Sequence, residues 1–241
     1  MNELQIVPSG VLLVDKDPGM TSHDVVAIAR KAMGIKKIGH CGTLDPMATG
    51  LLMLVVGRAT KIQDLLMSED KEYVGTVTLG ATTSTQDAEG KILEEWEVPN
   101  LSEAEVTAAF DKFTGQFEQM PPMVSAIKKD GVPLYKLARK GQEVKRDLRP
   151  VHVTSYKLSR VALPEVDFTV NCSKGFYVRT YAHDIGGVLG CGGHLSALRR
   201  TRSGKFTLDR SVKIKTLKTA DSQELIDSMV SLAEISLMRG A

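Results

Sequence analysis

Gly39-His40-Cys41-Gly42-Thr43-Leu44-Asp45-Pro46-Met47-Ala48-Thr49-Gly50-Leu51-Leu52 is the most informative stretch of this 241-residue chain. Pro46 pushes Asp45 out of the α region and suits the first position of a following helix. The pair therefore puts Asp45 at an exposed turn, at the start of a helix. Most Asp-Pro pairs are plain helix caps. On spacing alone a catalytic carboxylate is the minority reading. Just downstream, Leu51–Val56 is a continuous apolar run, which periodicity cannot assign to a buried strand or to a helix segment.

Working outward, Gly10–Asp15 reads as a buried strand followed by a turn at Asp17-Pro18-Gly19. A helix then starts at Thr21 or Ser22, either of which can cap it, and Gly34 can end it. Val25, Val26, Ala29, Ala32 and Met33 form its apolar stripe. Tyr73–Leu79 alternates as a strand, with Tyr73, Gly75, Val77 and Leu79 on one face. Ser102 and Glu105 form a capping box before Val106, Ala109, Phe110 and Phe113, and Gly115 closes that helix. Residues 120–150, with Pro121-Pro122, Gly131, Pro133 and Gly141, look like an irregular protruding insert. Val166, Phe168, Val170 and Cys172 alternate with Asp167, Thr169 and Asn171 as a half-buried strand. Lys174–Leu189 turns into a helix with Val178, Tyr181, Ala182, Ile185 and Leu189 on its apolar side. Asp221–Met238 reads as one amphipathic helix with an Asp221/Glu224 cap. Interleaved strands and helices without a repeat predict a mixed α/β domain.

Composition excludes several classes. With 42% apolar and 25% charged residues the chain is neither disordered nor collagen-like. Its apolar runs are too short to span a bilayer, and the N-terminal residues lack the pattern of a signal peptide. Cys41, Cys172 and Cys191, odd in number and far apart, suit reduced thiols in a cytoplasmic protein. The net charge of +2 says little, but its distribution says more. Residues 84–118 carry nine acids against two bases, residues 128–149 eight bases against three acids, and residues 199–215 seven bases against one acid. Such polarity suits a bound polyanion, although from charge alone two solvated faces are the slightly favoured reading.

The stretch around Asp45 closely resembles the GxxGTLDPxATGLL signature of TruB-type tRNA pseudouridine synthases. Other resemblances follow in the family's order: Asp15-Lys16 with Gly19-Met20-Thr21-Ser22; Tyr73 through Gly80; and Thr83, Thr85, Asp87 and Gly90. They continue with Pro121-Pro122, Ser125-Ala126, Lys128, Gly131, Tyr135, Ala138-Arg139 and Gly141, then Cys172 through Thr180, then Leu198-Arg199-Arg200-Thr201. The similarity runs from about residue 10 to about residue 210. Seven short motifs in order do not arise by chance.

The resemblance implies the pseudouridine synthase fold, a mixed α+β architecture with a largely antiparallel mixed sheet flanked by helices and a thumb-like insert at about 120–150. It implies isomerisation of uridine 55 in the T-loop of tRNA, in which the C1′–N1 bond breaks and C5 joins C1′. No redox cofactor, nucleotide or metal is needed, only a nucleophilic carboxylate against the nucleoside. By resemblance that carboxylate is Asp45. Arg179 is its guanidinium partner, which favours the ionised form. By the same resemblance Tyr73 lies under the uracil and takes part in proton transfer. The uridine must be flipped out of the folded loop. His40 matches the histidine that stacks into the RNA, Tyr177 and Leu198 match residues lining the base pocket, and Lys16 belongs to the substrate-binding set. Lys128, Lys129, Arg139, Lys140, Arg199 and Arg200 are the expected backbone contacts. The expected partner is the tRNA T-arm alone, bound by a monomer without membrane association.

Some positions depart from the family's pattern. Pro18 stands one place later than the usual Lys-Pro pair, Val124 replaces a common tyrosine, and Cys41 is less usual beside His40. Residues 1–216 are expected to form the catalytic domain and 217–241 a short helical tail, too short for the PUA RNA-binding domain of many relatives. A zinc site from His40, Cys41, Cys191 and His194 is disfavoured because no Cys-x-x-Cys pair exists. The remaining rival is an RNA-binding or tRNA-folding protein without catalysis. Retention of Asp45, Tyr73 and Arg179 together argues against it.

Overall fold

The computed structural model describes residues 7–240 apart from 126, 130 and 139. In chain order its first elements are β1 (Gly10–Lys16), α1 (Ser22–Met33), β2 (Ile38–Cys41), β3 (Thr49–Val56), α2 (Gln63–Met67), β4 (Lys71–Leu79), β5 (Ala81–Thr83) and β6 (Ile92–Glu95). Then come α3 (Glu103–Asp111), β7 (Gly115–Gln119), β8 (Lys128–Lys129), β9 (Val132–Pro133), α4 (Leu134–Ala138), β10 (Arg149–Ala162), β11 (Glu165–Cys172) and α5 (Val178–Val188). The chain finishes with β12 (Gly193–Ser203), β13 (Phe206–Thr207), β14 (Val212–Lys213), α6 (Ile214–Thr219), α7 (Ser222–Asp227), β15 (Val230–Ser231) and α8 (Leu232–Arg239). Two compact units result. One takes the chain up to Lys71 and resumes at Arg199; the other is Glu72–Leu198.

The first unit is built on β1. Its seven residues pair antiparallel with β3, from Gly10 opposite Val56 to Lys16 opposite Gly50. β1 also pairs in parallel with β14 and antiparallel with β15, and β2 lies antiparallel to β3. Residues 51–56 are all fully buried, which explains why they show no alternation: β3 is covered on both faces. The ambiguous apolar run is therefore a strand. Arg199 and Arg200 of β12 pair in parallel with Thr49 and Gly50. Gly50 sits at φ 95°, and a Cβ there would lie 2.3 Å from the Arg200 carbonyl oxygen. Only glycine allows that approach.

Residues 217 onward, expected as a tail, belong to this unit. Val230 and Ser231 extend the sheet beside β1, and the Ser222 hydroxyl donates to the Met33 carbonyl at 3.0 Å. The single helix expected over 221–238 is two, α7 and α8, because β15 captures the chain between them. The Asp221 cap is present, accepting from Glu224 N–H at 2.8 Å. Thr21, not Ser22, caps α1, and Gly34 ends it in the left-handed region at φ 67°.

The second unit has the strand order β12–β4–β11–β10–β7. β10 pairs antiparallel with both β11 and β7. The alternations predicted for Tyr73–Leu79 and for 166–172 are both present as strands with one buried face. The Ser102/Glu105 capping box starts α3, which ends at Asp111; Gly115, at φ 83°, opens β7. Tyr181 of α5 is fully buried among Phe110, Phe168 and Phe176, with ring centroids 5.3–5.8 Å apart. Each such ring contributes about 1.5–3 kcal/mol by burial. This packing fixes α5 on the sheet. Within the insert, β8 and β9 form a hairpin and α4 a short helix, so it has more regular structure than its Pro and Gly content suggested. Across both units the pairing is mixed and largely antiparallel, with helices on the faces, as expected. No described helix is long and apolar enough to cross a membrane.

Candidate active site

In the first unit, β2 ends at Cys41 and β3 starts at Thr49, leaving residues 42–48 as a loop. Asp45 sits in it, half-buried, and its carbonyl accepts from Ala48 N–H at 3.1 Å. The turn expected at Asp-Pro is there. The helix is not, because Thr49 and Gly50 are taken into the sheet by β1 and β12 before a helical turn can propagate.

Four groups hold this loop. The Lys16 ammonium donates to the carbonyls of Asp17 at 2.9 Å, Met20 at 2.8 Å and Pro46 at 3.1 Å. Gly19 N–H donates to the same Pro46 carbonyl at 2.9 Å. The Ser22 hydroxyl donates to the Leu44 carbonyl at 3.1 Å and accepts from Leu44 N–H at 2.9 Å. The Arg200 guanidinium donates to the Gly42 carbonyl at 3.1 Å and to the Leu51 carbonyl at 2.7 Å. Lys16 and Arg200 are each 1% exposed. Lys16, expected in substrate binding, is thus placed as a brace inside the fold. Arg200, expected on the RNA backbone, is likewise turned inward and differs in this from Arg199. The Arg199 side chain is 40% exposed and pairs with Asp15 at 2.9 Å. Alternation along β12 explains the contrast, since neighbouring residues face opposite sides.

His40 is half-buried on β2, and its ring meets that of His23 edge-on, with centroids 5.1 Å apart. Burial, with smaller contributions from the nearby His23 and Arg200, pushes its pKa down to about 4. At neutral pH the ring is therefore uncharged, a state that stacks without desolvating a cation.

In the second unit, Tyr73 is on the buried face of β4 at 9% exposure. Tyr177, half-buried, is the residue before α5, and its peptide groups are held by Gln119. Tyr177 N–H donates to Gln119 Oε1 at 2.8 Å, and Gln119 Nε2 donates to the Tyr177 carbonyl at 3.1 Å. Arg179 lies in the first turn of α5, only 3% exposed. Its Nη1 donates to the Thr85 carbonyl at 2.9 Å, its Nη2 to the Val124 carbonyl at 2.7 Å, and its Nε lies 3.7 Å from Asp87 Oδ2. Because Val124 contributes its carbonyl, the loss of the common tyrosine there leaves this contact intact. Asp87 is itself buried and accepts from the Thr85 hydroxyl at 2.5 Å. Thr180 ties the same turn to α5 through Gln86 Oε1 at 2.8 Å. Leu198 is buried at 8% exposure. Lys128, Lys129 and Lys140 are exposed, as phosphate contacts require; Arg139 lies outside the described residues.

Within each unit, then, the structure gathers expected residues. Lys16 and Arg200 converge on the Asp45 loop, and Arg179 anchors the turn of Thr85 and Asp87. Ser22, Gly19 and Gln119 were missed as contributors to the site. Ser22 and Gly19 stood inside a quoted motif, but only three-dimensional contact reveals what their atoms hold. Among the described residues no group of three or more His, Cys, Asp or Glu is placed to hold a metal ion.

Residues 30–178 match the family profile described as TruB family pseudouridylate synthase (N terminal domain). The chain belongs to the TruB family of pseudouridylate synthases. Residues 179–237 match a second TruB profile, the tRNA pseudouridylate synthase B C-terminal domain. A relative from Opitutus terrae named tRNA pseudouridine synthase B is 54% identical over 90% of each chain. One of the same name from Syntrophotalea carbinolica is 46% identical over 94% of this chain and 74% of its own. Among solved structures, a chain of a Cbf5-Nop10-Gar1 complex superposes with TM-score 0.73 at 28% identity, over 95% of this chain and 62% of that one. A chain of an H/ACA RNP bound to a substrate RNA containing 2′-deoxyuridine gives 0.64 at 29%, over 86% of this chain and 51% of that one. This TruB-family chain therefore spans between half and two thirds of those solved chains.

Proposed function

We propose that this pseudouridylate synthase acts on tRNA and converts uridine 55 of the T-loop to pseudouridine, with Asp45 as nucleophile. The observation that carries the reading is the loop of residues 42–48. Its half-buried carboxylate stands on a tight turn whose neighbouring peptide groups are pinned by Ser22, Lys16, Gly19 and Arg200. A nucleophile held this way meets its target without first losing conformational freedom. The relatives named tRNA pseudouridine synthase B, at 54% and 46% identity, support tRNA as substrate.

In this reading the Asp45 carboxylate assists rupture of the C1′–N1 bond, the freed uracil turns, and C5 joins C1′. The proton on C5 leaves and N1 gains one, so the sum is an isomerisation that consumes nothing. Arg179 keeps the carboxylate ionised, Tyr73 stacks under the base and takes part in proton transfer, and Tyr177 and Leu198 line the base pocket. The neutral His40 ring stacks into the RNA. Lys128, Lys129, Arg139, Lys140 and Arg199 neutralise phosphates. The enzyme works as a monomer on the T-arm of cytoplasmic tRNA.

Mapping pseudouridine in unmodified tRNA after incubation with wild-type protein and with Asp45→Asn tests the reading. Wild type should modify position 55 and Asp45→Asn should not, while both bind tRNA alike. Uridine left at position 55 by the wild type would refute the substrate. Equal modification by both would remove Asp45 from the chemistry.

A further inference from the structure

We infer that Ser22 is a positioning residue for Asp45, acting through the peptide group that joins Leu44 to Asp45. The inference rests on the reading of Asp45 as nucleophile. Ser22 is the first helical residue of α1 and is 1% exposed. A serine at a helix start ordinarily caps the helix. Here that task is already done by its neighbour. The Thr21 hydroxyl accepts from Asp24 N–H at 3.1 Å, and the Asp24 carboxylate accepts from Thr21 N–H at 2.8 Å, a complete capping box. The Ser22 hydroxyl is left for another use. It turns away from its own helix and satisfies both polar groups of Leu44, donating to the carbonyl and accepting from the N–H.

The consequence for Asp45 is geometric. The Leu44 carbonyl and the Asp45 N–H belong to one planar peptide unit, so anchoring the carbonyl fixes the plane from which the Asp45 side chain departs. The Leu44 side chain, 3% exposed, anchors the same residue by packing. Beyond Asp45, the Pro46 carbonyl is held by Lys16 and Gly19. Ser22 is thus the hydroxyl clamp on the upstream side of the carboxylate. Without it, the peptide before Asp45 can rotate while the downstream side stays fixed, and the carboxylate swings.

Single-turnover kinetics on unmodified tRNA, with tRNA affinity measured separately, tests this with the full chain. Ser22→Ala should slow isomerisation of bound tRNA by about 10- to 100-fold, the effect of a displacement of around an ångström at a reacting group. Its tRNA Kd should stay within about twofold, since the hydroxyl touches no phosphate. Thr21→Ala is the control for lost stability. It removes the helix cap, lowers the melting temperature, and should leave the bound rate unchanged. Ser22→Cys keeps the size with a weaker hydrogen-bonding group and should give an intermediate rate, which covers the case of an alanine variant that does not fold. Wild-type rates in Ser22→Ala or Ser22→Cys, or an equal slowing in Thr21→Ala, would overturn the inference. Asp45→Asn run in parallel separates the two levels. If that variant turns over normally, the reading of Asp45 fails; if it is dead while Ser22→Ala is fast, only the clamp fails.

Discussion

Replacing Arg200 by methionine separates two roles that adjacent arginines share on paper. The Arg200 guanidinium is buried and donates to the Leu51 carbonyl at 2.7 Å and the Gly42 carbonyl at 3.1 Å. Methionine keeps most of the stem's volume but donates nothing, so two interior carbonyls lose their partner. Each orphaned acceptor costs about 1–3 kcal/mol. Part of this is returned because a charge no longer has to be buried. The net loss should be about 2–4 kcal/mol, read as a lowered urea midpoint at unchanged m-value. Arg199→Ala removes a pair that is open on the arginine side but only 19% exposed at Asp15, and should cost about 1–2 kcal/mol. Binding to tRNA across a salt series gives the second readout. A lost phosphate contact flattens the slope of log affinity against log salt by about 0.7 to 0.9. Arg199→Ala should show that change and Arg200→Met should not. If Arg200→Met lost less than about 0.5 kcal/mol and flattened the slope by a full contact, the inward brace would be wrong, and Arg200 would reach the RNA.

Arg179→Lys keeps charge but loses the fork that serves Thr85, Val124 and Asp87 together, so turnover should fall at least about 100-fold with tRNA affinity kept; near-normal turnover would make Arg179 dispensable. His40, with its pKa pushed down to about 4, is neutral in the folded chain while the unfolded chain takes up the proton near the usual value of about 6.5. Its contribution, up to about 3 kcal/mol, is therefore whole above that pH and is lost as pH falls toward 4. His40→Gln should flatten the fall in stability over that window, and equal slopes in the two proteins would show that burial of the ring is not its cause. Neutralising the exposed Lys128, Lys129 and Lys140 together should lower the salt slope of tRNA binding by about two to three, with the bound rate kept; an unchanged slope would place the RNA elsewhere.

Elements with a strong local signal could be read from sequence. The Tyr73–Leu79 and 166–172 alternations, the Thr21 and Ser102 capping patterns and the glycine end of α1 all depend on neighbouring residues, and all are present. What could not be read depends on partners distant in sequence. The helix expected after Pro46 is absent because strands contributed by residues 10–16 and 199–200 take up Thr49 and Gly50. The C-terminal helix is broken in two because β1 offers an edge to Val230 and Ser231. The site follows the same rule. Asp45, Tyr73 and Arg179 are candidates that the family's motifs supply. That Lys16, Ser22 and Arg200 spend their polar atoms on the loop around Asp45 was not legible, since a buried brace and an exposed phosphate contact use the same side chains.

The two crossings of the chain between its units, at Lys71/Glu72 and at Leu198/Arg199, set an order of events on the ribosome. β1, β2 and β3 emerge early and can pair at once, but β14 and β15, which complete β1, and the end of β12, which completes β3, are not yet made. Roughly 130 residues must be synthesised first, which takes on the order of 10 seconds at 5–20 residues per second. During that interval the most apolar strands of the protein present bare edges, the condition in which chains pair with the wrong neighbour. The Glu72–Leu198 segment has no such wait, being continuous in sequence. Slowed translation of the middle of the message should therefore raise aggregation of nascent chains more than an equal delay placed after Ser231, when β14 and β15 have been made.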